Sequence, residues 1–483
     1  MIRSKGSYEE TLILKEKEHS TIYRRMVRVE MNEKNHIYDI VVVGGGISGA
    51  ISAIAAARLG ADVLVVEQYG FMGGMLTCAG VGPMMTFHAG DRQLIKGIVS
   101  EIVDRLVDKG LSPGHIEDAG GYTYTNTPVS AEGMKRELDI MLLEAGGKVL
   151  YHTMLADVKV DNKIIQYITV CNKKGLSDIH SKVFIDATGD GDLFAKAGVP
   201  YTKGRELDGK CQPMTLNMKV GNVDREELKN YMLDNQDRIK NKRVIETLDT
   251  LPRLFLCLYA KEIQEEKAKG GLPLHQKGNV LFFETDVPGE AVLNTTRILN
   301  CDPEDPDSIS KAEIEGRAQA EEMMNFLKKQ RGFENCYLEV TGPRIGVRSS
   351  RQLNGLYTLT ADDLKESKKF HDTIAHGSYP IDIHSPDGMK TTSFFLKPGQ
   401  YYNIPYSSLL NDTVHNLITV GRCISATFEA QASIRVTPIA GSIGQAGGTA
   451  AYLCSKQGKL PVELDVKELQ RLLIDNDMVL IYE

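Results

Sequence analysis

Three glycines in GxGxxG spacing, Gly44, Gly46 and Gly49, separate an apolar, β-branched run (Asp39–Val43) from a helix-like segment ending at Gly60-Ala61. A second apolar run, Val63–Val66, follows, and Glu67 comes at once after it. Each residue type suits one part of a dinucleotide. Gly44 permits the tight turn off the strand, Gly46 lets a pyrophosphate reach the backbone without meeting a Cβ, and Gly49 lets the helix lie close to the sheet. The helix start offers free N–H groups and a positive dipole end to phosphates. Glu67 stands where a carboxylate accepts hydrogen bonds from a ribose 2′-OH, and its charge disfavours a 2′-phosphate. Strand, turn, helix, strand and acid within about 30 residues define a dinucleotide site rather than a chance GxGxxG. The glycine breaks, with Asp39, Arg58 and Asp62, speak against a membrane span over the same residues.

Other residues are suited to the same or neighbouring chemistry. Gly73-Gly74 followed by Thr77 gives another close backbone approach for a cofactor's phosphates. The run Lys182–Ala187 leads straight into Thr188-Gly189-Asp190-Gly191-Asp192, which sets glycine backbone at a sheet's carboxyl edge, where α/β sheets bind ligands. In GSIGQAGGTAAYLC (441–454) the small residues predict a tightly packed helix, with a free N-terminus near Gly444 able to face developing negative charge. Arg344, Arg348 and Arg351 fall within eight residues. Arg348 and Arg351 would share one face if the stretch is helical, a loop being as plausible given Gly342-Pro343 and Gly346. On one side they would suit a carboxylate or other anion, with ion pairing to nearby acids or to a cofactor phosphate the equal alternative. His371, His376 and His384 lie with Asp372 and Asp382 in one polar stretch, and a histidine there, His376 foremost, suits acid/base work. Their spacings lack helical i,i+4 geometry, so no metal is expected. Tyr401-Tyr402 suit core packing or a substrate lid equally.

The elements that must position these residues are those of an ordinary globular protein. The chain has 483 residues, 42% apolar and 25% charged, enough for two or three domains. The net charge of −7, with no basic tract interleaved with aromatics, implies neither a nucleic-acid partner nor a membrane one. Eight cysteines without a CxxC pair argue against zinc, an iron–sulfur cluster or a dithiol centre, and suggest reduced thiols in a cytoplasm, Cys423 being a buried structural one. Residues 1–36 read as a charged extension, and Arg24-Arg25 lacks the hydrophobic region of an export signal. Periodicity predicts helices over Arg92–Lys109, N-capped by Asp91, and over 131–145. Short alternating runs at 148–153, 155–161, 163–171 and 178–185 predict an antiparallel meander. Strands are expected at 214–220, 279–285, 337–341 and 416–420, and a helix from the capping box of Ser310 and Glu313 to about Arg331. The fold expected is α/β: a Rossmann-like domain of residues 37–195 and 405–460, with a parallel sheet and an antiparallel β-meander. An α+β substrate domain (196–404) is inserted in it, and a helical tail (461–483) closes the chain.

Five segments occur in an order that carries a family resemblance: VVVGGGISG with Glu67, GGMLT (73–77), FIDATGDGDLFAKAG (184–198), PRIGVRSSRQLNGLY (343–357) and VGRCISATFEAQASIRVTPIAGSIGQAGGTAA (420–451). The chain resembles the FAD-dependent oxidoreductases of the glutathione-reductase type, and in layout the branch that includes fumarate reductase and succinate dehydrogenase flavoproteins. The resemblance implies FAD. By position, Gly44, Gly46, Ile47, Ser48 and Gly49 would hold its pyrophosphate, and Glu67 and Gln68 its adenosine ribose. Gly73, Gly74, Met75, Leu76 and Thr77, with Ala187, Thr188, Gly189 and Asp190, would line the diphosphate and ribityl region, which Arg422 would also contact. The helix starting near Gly444, Gln445 and Ala446 would face the flavin N1/C2 carbonyl. The motif that attaches FAD covalently is not found around His88, so a non-covalent cofactor is expected. Gly421-Arg422 stands where the fold usually has Gly-Asp.

The activity implied is hydride transfer between FAD and a small, anionic organic substrate, with Arg348, Arg351 and His376 as candidate catalytic residues. No second GxGxxG unit provides for NADPH, so a separate electron donor or acceptor stays open as a partner, as does a homo-oligomer. The absence of tryptophan excludes the halogenase signature, and the missing Gly-Asp speaks against an aromatic hydroxylase. An electron-transfer subunit of the heterodisulfide-reductase kind, or a non-redox FAD protein, is the alternative.

Overall fold

The computed structural model describes residues 36–388 and 391–480; apart from His36, the extension expected over 1–36 lies outside them. Strands β1 (Ile37–Val43) and β2 (Val63–Val66) flank helix α1 (Ile47–Arg58). Both strands carry almost unbroken Val, Ile and Leu because helices and the meander cover the sheet on its two faces. Helices α2 (Ile98–Val107) and α3 (Ala131–Glu144) pack beside α1. The helix expected from Arg92 therefore starts six residues late. Arg92 and Gln93 instead pair with His88 and Ala89 in a short hairpin. Gly97 turns the chain at φ 72°, and the Ile98 N–H donates to Gln445 Oε1 at 2.8 Å, so a remote side chain takes the cap expected of Asp91.

Strand β3 (Lys148–Leu150) runs parallel to β2 and so leaves the meander expected to contain it. The meander proper is β4 (Met154–Asp161), β5 (Ile164–Asn172) and β6 (Gly175–Asp186). The long β6 joins two sheet types: residues 175–179 pair antiparallel with β5, and residues 180–186 pair parallel with β1. Its last residue, Asp186, is fully buried. Its carboxylate accepts from the Thr188 N–H and hydroxyl and from the Phe194 N–H, which fixes the turn at the sheet edge.

A second sheet follows, built from β7 (Met218–Gly221), β8 (Phe255–Leu258), β9 (Val280–Glu284), β10 (Ala291–Asn294) and, after α4 (Pro306–Leu327), β11 (Tyr337–Thr341). All its pairs are antiparallel, in the order β8-β9-β10-β7-β11. The two-residue period sends Leu256, Leu258, Val280, Phe282, Ala291 and Leu293 into an apolar core of their own and the alternate residues to the opposite face. Helix α4 begins at Pro306, capped by Asp305, whose carboxylate accepts from the Asp307 N–H. Ser310, expected as the cap, lies within the helix and donates back to Pro306 O at 2.7 Å, while Glu313 accepts from the Ile345 N–H.

The chain then forms β12 (Thr373–Gly377), β13 (Ile381–His384), β14 (Thr391–Phe394) and β15 (Tyr402–Pro405). Ile374, Ala375, Tyr402 and Ile404 join the apolar core of α1, α2 and α3. Strand β16 (Leu417–Thr419) adds to the parallel edge of β6. Helix α5 (Thr437–Gln457) crosses α1, and α6 (Val466–Asp475) packs on α5. Helix α5 starts at Thr437, where Pro438 suits the first turn, and not near Gly444. Gly444 and Gly448 are instead its contact stripe. A Cβ there would sit 2.3 Å from Ser48 O and 2.1 Å from Ser52 O, and Ser52 Oγ donates to Gly444 O at 2.7 Å. Among the described residues no helix is long and apolar enough to cross a membrane.

Candidate active site

A cavity of about 790 Å³ lies between the carboxyl edge of the parallel sheet and the free face of the inserted sheet. Its floor is the set of turns that leave β1, β2, β6 and β16: Val43-Gly44, Val66-Glu67, Ala187–Gly189 and Val420–Arg422. Its roof is two rows of side chains in cross-strand register. Phe255, Phe283 and Val292 form one row and Cys257, Leu281 and Asn294 the other. The Phe255 and Phe283 rings stack at 4.6 Å.

At one end of the floor the glycines divide their work. Gly44 has φ +97°, and a Cβ there would lie 2.5 Å from Ala187 O; on Gly49 it would lie 1.9 Å from Gly44 O. Gly46 is different. Its φ of −58° suits any residue, and the nearest atom to an added Cβ is 3.8 Å away. Neither conformation nor packing asks for glycine at 46, so the position leaves open the space a pyrophosphate needs beside the start of α1. Glu67 is buried at the cavity wall, accepting from the Gly45 N–H at 2.6 Å and the Tyr69 N–H at 2.8 Å. Burial pushes its pKa up against those hydrogen bonds. Midway, Arg422 holds Asp190 at 2.5 Å and Arg344 reaches it at 3.4 Å. Burial pushes the Asp190 pKa up, but the two guanidinium groups outweigh it and hold the carboxyl below its usual range. Arg422 Nε is buried at the cavity wall with no hydrogen-bond partner among the described residues.

The far end is cationic. Lys277, Arg297, Arg348 and Arg435 all line it, and Asp382 is the carboxylate among them. Asp382 Oδ2 stands 3.2 Å from His384 Nε2 and 3.6 Å from Arg435. Burial works to raise the Asp382 pKa, yet His384 and Arg435 hold it well below the carboxylate range. His384 Nδ1 lies 3.4 Å from Arg297 NH2 and 3.3 Å from Thr391 Oγ1. A guanidinium can only donate, so Nδ1 accepts and Nε2–H donates to Asp382. Burial and Arg348 push the His384 pKa down to about 3, consistent with this neutral ring. Arg348 NH1 donates to Pro213 O, and burial and Arg435 push its pKa down to about 9.

Gly44, Gly46, Ile47, Ser48, Glu67, Gln68, Gly74, Met75, Ala187, Thr188, Gly189, Arg348 and Arg422 thus line one cavity. Other candidates from the sequence do not. Gly49 serves the α1–β6 contact, and Gly73 takes a turn at φ +110° against Thr77. Leu76 is in the core, and the Thr77 hydroxyl donates to Met72 O. Asp190 is turned to its two arginines. Gly444, Gln445 and Ala446 lie two turns into α5, Gln445 bridging Ile98 N and Asn476 O. Thr437 and Ala440, near the start of that helix, are what meet the cavity.

Arg351 is drawn off by Asp192 at 2.8 Å and Glu304 at 3.0 Å. His376 is buried on β12 with its ring edge-on to Tyr401, and burial pushes its pKa down to about 4. His88 contacts Thr125 and His115, away from the cavity. Lys277, Arg297 and Arg435 were not singled out from sequence. Arg435 could have been, since it directly precedes the helix that ends the fifth matching segment. Lys277 and Arg297 lie in irregular stretches that carry no periodic signal.

Fold and cavity define a protein that binds an extended dinucleotide across the carboxyl edge of a parallel sheet. The chain belongs to the FAD dependent oxidoreductase family, whose sequence model matches residues 39–473. It is an enzyme, and FAD is its cofactor. It is 32% identical over 140 residues to the thiamine thiazole synthase of Aeropyrum pernix, covering 28% of this chain and 45% of that one. With digeranylgeranylglycerophospholipid reductase 2 of Methanothermobacter thermautotrophicus it shares 26% over 201 residues, 40% of this chain and 50% of that one. The chain thus spans about half or less of the length of these relatives. Among solved structures, a geranylgeranyl bacteriochlorophyll reductase-like protein of Thermoplasma acidophilum aligns with a TM-score of 0.45 at 13% identity, over 92% of this chain and 82% of that one.

Proposed function

We propose that this enzyme transfers a hydride between FAD and a small organic anion, a carboxylate or phosphate ester, held at the cationic end of the cavity. The observation that carries the reading is that Arg297, Arg348, Arg435 and Lys277 share one wall with the single carboxylate Asp382. Burying that excess of positive charge is costly unless an anion completes it. The pair of apolar rows in the roof leaves room for a hydrocarbon part beside the anionic group.

Non-covalent FAD would be held by the turn at Gly44–Ser48, by Glu67 at the ribose and by Gly189 and Arg422 midway. When bound, it supplies a two-electron acceptor or donor. The protein's own part is to orient the substrate by paired guanidinium donors and to exclude water beneath the inserted sheet. His384, donating to Asp382 and accepting from Arg297, fixes the guanidinium rather than acting as base. We place the chain, by the order of its five motifs, in the layout of the fumarate reductase and succinate dehydrogenase flavoproteins, with residues 196–404 as the substrate-binding insertion and a cytoplasmic site of action.

The test is anaerobic mixing of the holoenzyme with a panel of hydroxy- and unsaturated carboxylates and phosphate esters, together with their neutral and cationic analogues, following flavin absorbance at about 450 nm. At least one anion should bleach the oxidised flavin or restore the colour of the chemically reduced one. A panel in which neutral and cationic compounds react and no anion does would overturn the reading.

A further inference from the structure

Building on the anionic-substrate reading, we propose that Lys277 is the residue that exchanges a proton with the substrate at the cationic end. Its Nζ is enclosed at the cavity wall just before β9 and is steadied by Asn294, 2.9 Å from Oδ1 and 3.4 Å from the backbone O. Both partners are neutral acceptors. The carboxylate that faces the cluster, Asp382, is engaged by His384 and Arg435. Among the described residues Lys277 therefore has no neutralising partner in the wall, and it lies beside the place where the other cations would hold an anion.

The groups facing it leave no equal candidate. Arg297 and Arg348 are guanidinium groups that keep their protons at neutral pH, and Arg435 is engaged by Asp382. His384 has both ring nitrogens engaged. The Cys257 thiol of β8 is pushed up to about 11 by burial, and the Tyr122 and Tyr379 phenols are raised by burial and by Asp382. Among the described groups of this wall, Lys277 is the one poised to exchange a proton near neutral pH: burial, then Arg348 and Arg297, push its pKa down to about 7.

In the oxidative direction, the neutral Nζ takes the proton from the O–H, N–H or C–H bond adjacent to the reacting carbon. The two electrons of the neighbouring C–H bond leave as the hydride that FAD takes up, and the substrate gains one double bond. In the reductive direction the ammonium returns the proton as the carbon regains the hydride. Binding of the anion favours the ammonium form, so the site takes up a proton as it fills when the pH exceeds the free-enzyme value.

The first experiment uses sulfate as a non-reacting dianion on the holoenzyme. Titration calorimetry in buffers of different ionisation enthalpy measures protons taken up on binding, at about pH 8 and about pH 5.5. Wild type should take up most of one proton at the higher pH and almost none at the lower. Lys277→Arg should bind sulfate within about threefold of wild type and take up none, because arginine keeps its charge throughout. Saturable sulfate binding with the same uptake in Lys277→Arg would overturn the role of Lys277 and leave the anion site standing. Absence of saturable binding in wild type would overturn the anion site and this role with it.

The second experiment takes the substrate found in the bleaching screen. At limiting substrate, the second-order rate constant of flavin reduction should rise with pH through about 7, the free-enzyme value, in wild type, and Lys277→Arg should lose both that dependence and about 100-fold in rate. An unchanged rate and profile in Lys277→Arg would overturn the assignment.

Discussion

The two ends of the cavity are suited to negative charge by different means. At the nucleotide end the chain uses its backbone: the turn after β1, the start of α1 and a carboxylate, Glu67, tied to the Gly45 and Tyr69 amides. Arg344 and Arg422 lie midway, and Asp190 is close to both. At the far end Lys277, Arg297, Arg348 and Arg435 share one carboxylate. The first arrangement is fixed by chain geometry and suits a ligand that never changes. The second is made of side chains from five separate stretches, and its charge is set residue by residue rather than by the backbone.

The comparison can be broken at several points. The largest effect should come from Gly46→Val. An added Cβ has 3.8 Å of clearance, so the chain should fold with normal circular dichroism while purified protein loses nearly all its FAD. Valine at 49 should instead damage the fold, because its Cβ meets Gly44 O. Next, Arg348→Met should retain FAD and raise KM for the anionic substrate about 10- to 100-fold, roughly 1.4–2.8 kcal/mol. Arg351→Met, which removes the ion pairs with Asp192 and Glu304, should leave KM near wild type; an equal rise in both variants would dissolve the distinction between cavity and scaffold arginines.

Gln445→Ala should leave FAD content and KM alone but cost about 1–3 kcal/mol in denaturant unfolding, because the buried Ile98 N–H loses its acceptor. The most gradual effect concerns pH. Lys277 has a folded pKa of about 7, below its unfolded value near 10.4. Between the two the unfolded chain binds more protons, so this residue makes stability rise with pH across that window, by at most about 1.4 kcal/mol per pH unit. Unfolding curves of wild type and Lys277→Met, compared across the window, should differ by that increment.

What was legible in the sequence follows the same division. The β1–α1–β2 unit is local. Thirty residues contain its strands, its turn and its acid, so residue type and spacing were sufficient. Helix starts were less legible where the cap came from elsewhere: α2 takes its acceptor from Gln445, almost 350 residues away in the chain, and no local signal records that. In α4 a plausible capping box at Ser310 lost to Asp305-Pro306, which offers both an acceptor and a preset φ. The small residues of 441–454 correctly signalled close packing. They did not say which part of the helix would be its end.

The sequence by itself determined a strand–glycine turn–helix unit at the edge of a parallel sheet, because its glycine and backbone requirements are met by neighbours in the chain. Tertiary structure alone decided which charged residues face the cavity. Arg348 and Arg351 are three residues apart, yet one lines the wall and the other is held by Asp192 and Glu304. Lys277 and Arg297 join the same wall only because β9 and β10 pair and bring their loops beside β13. Charge on a side chain is visible in a sequence; the partner that neutralises it, or its absence, is a property of the folded interior.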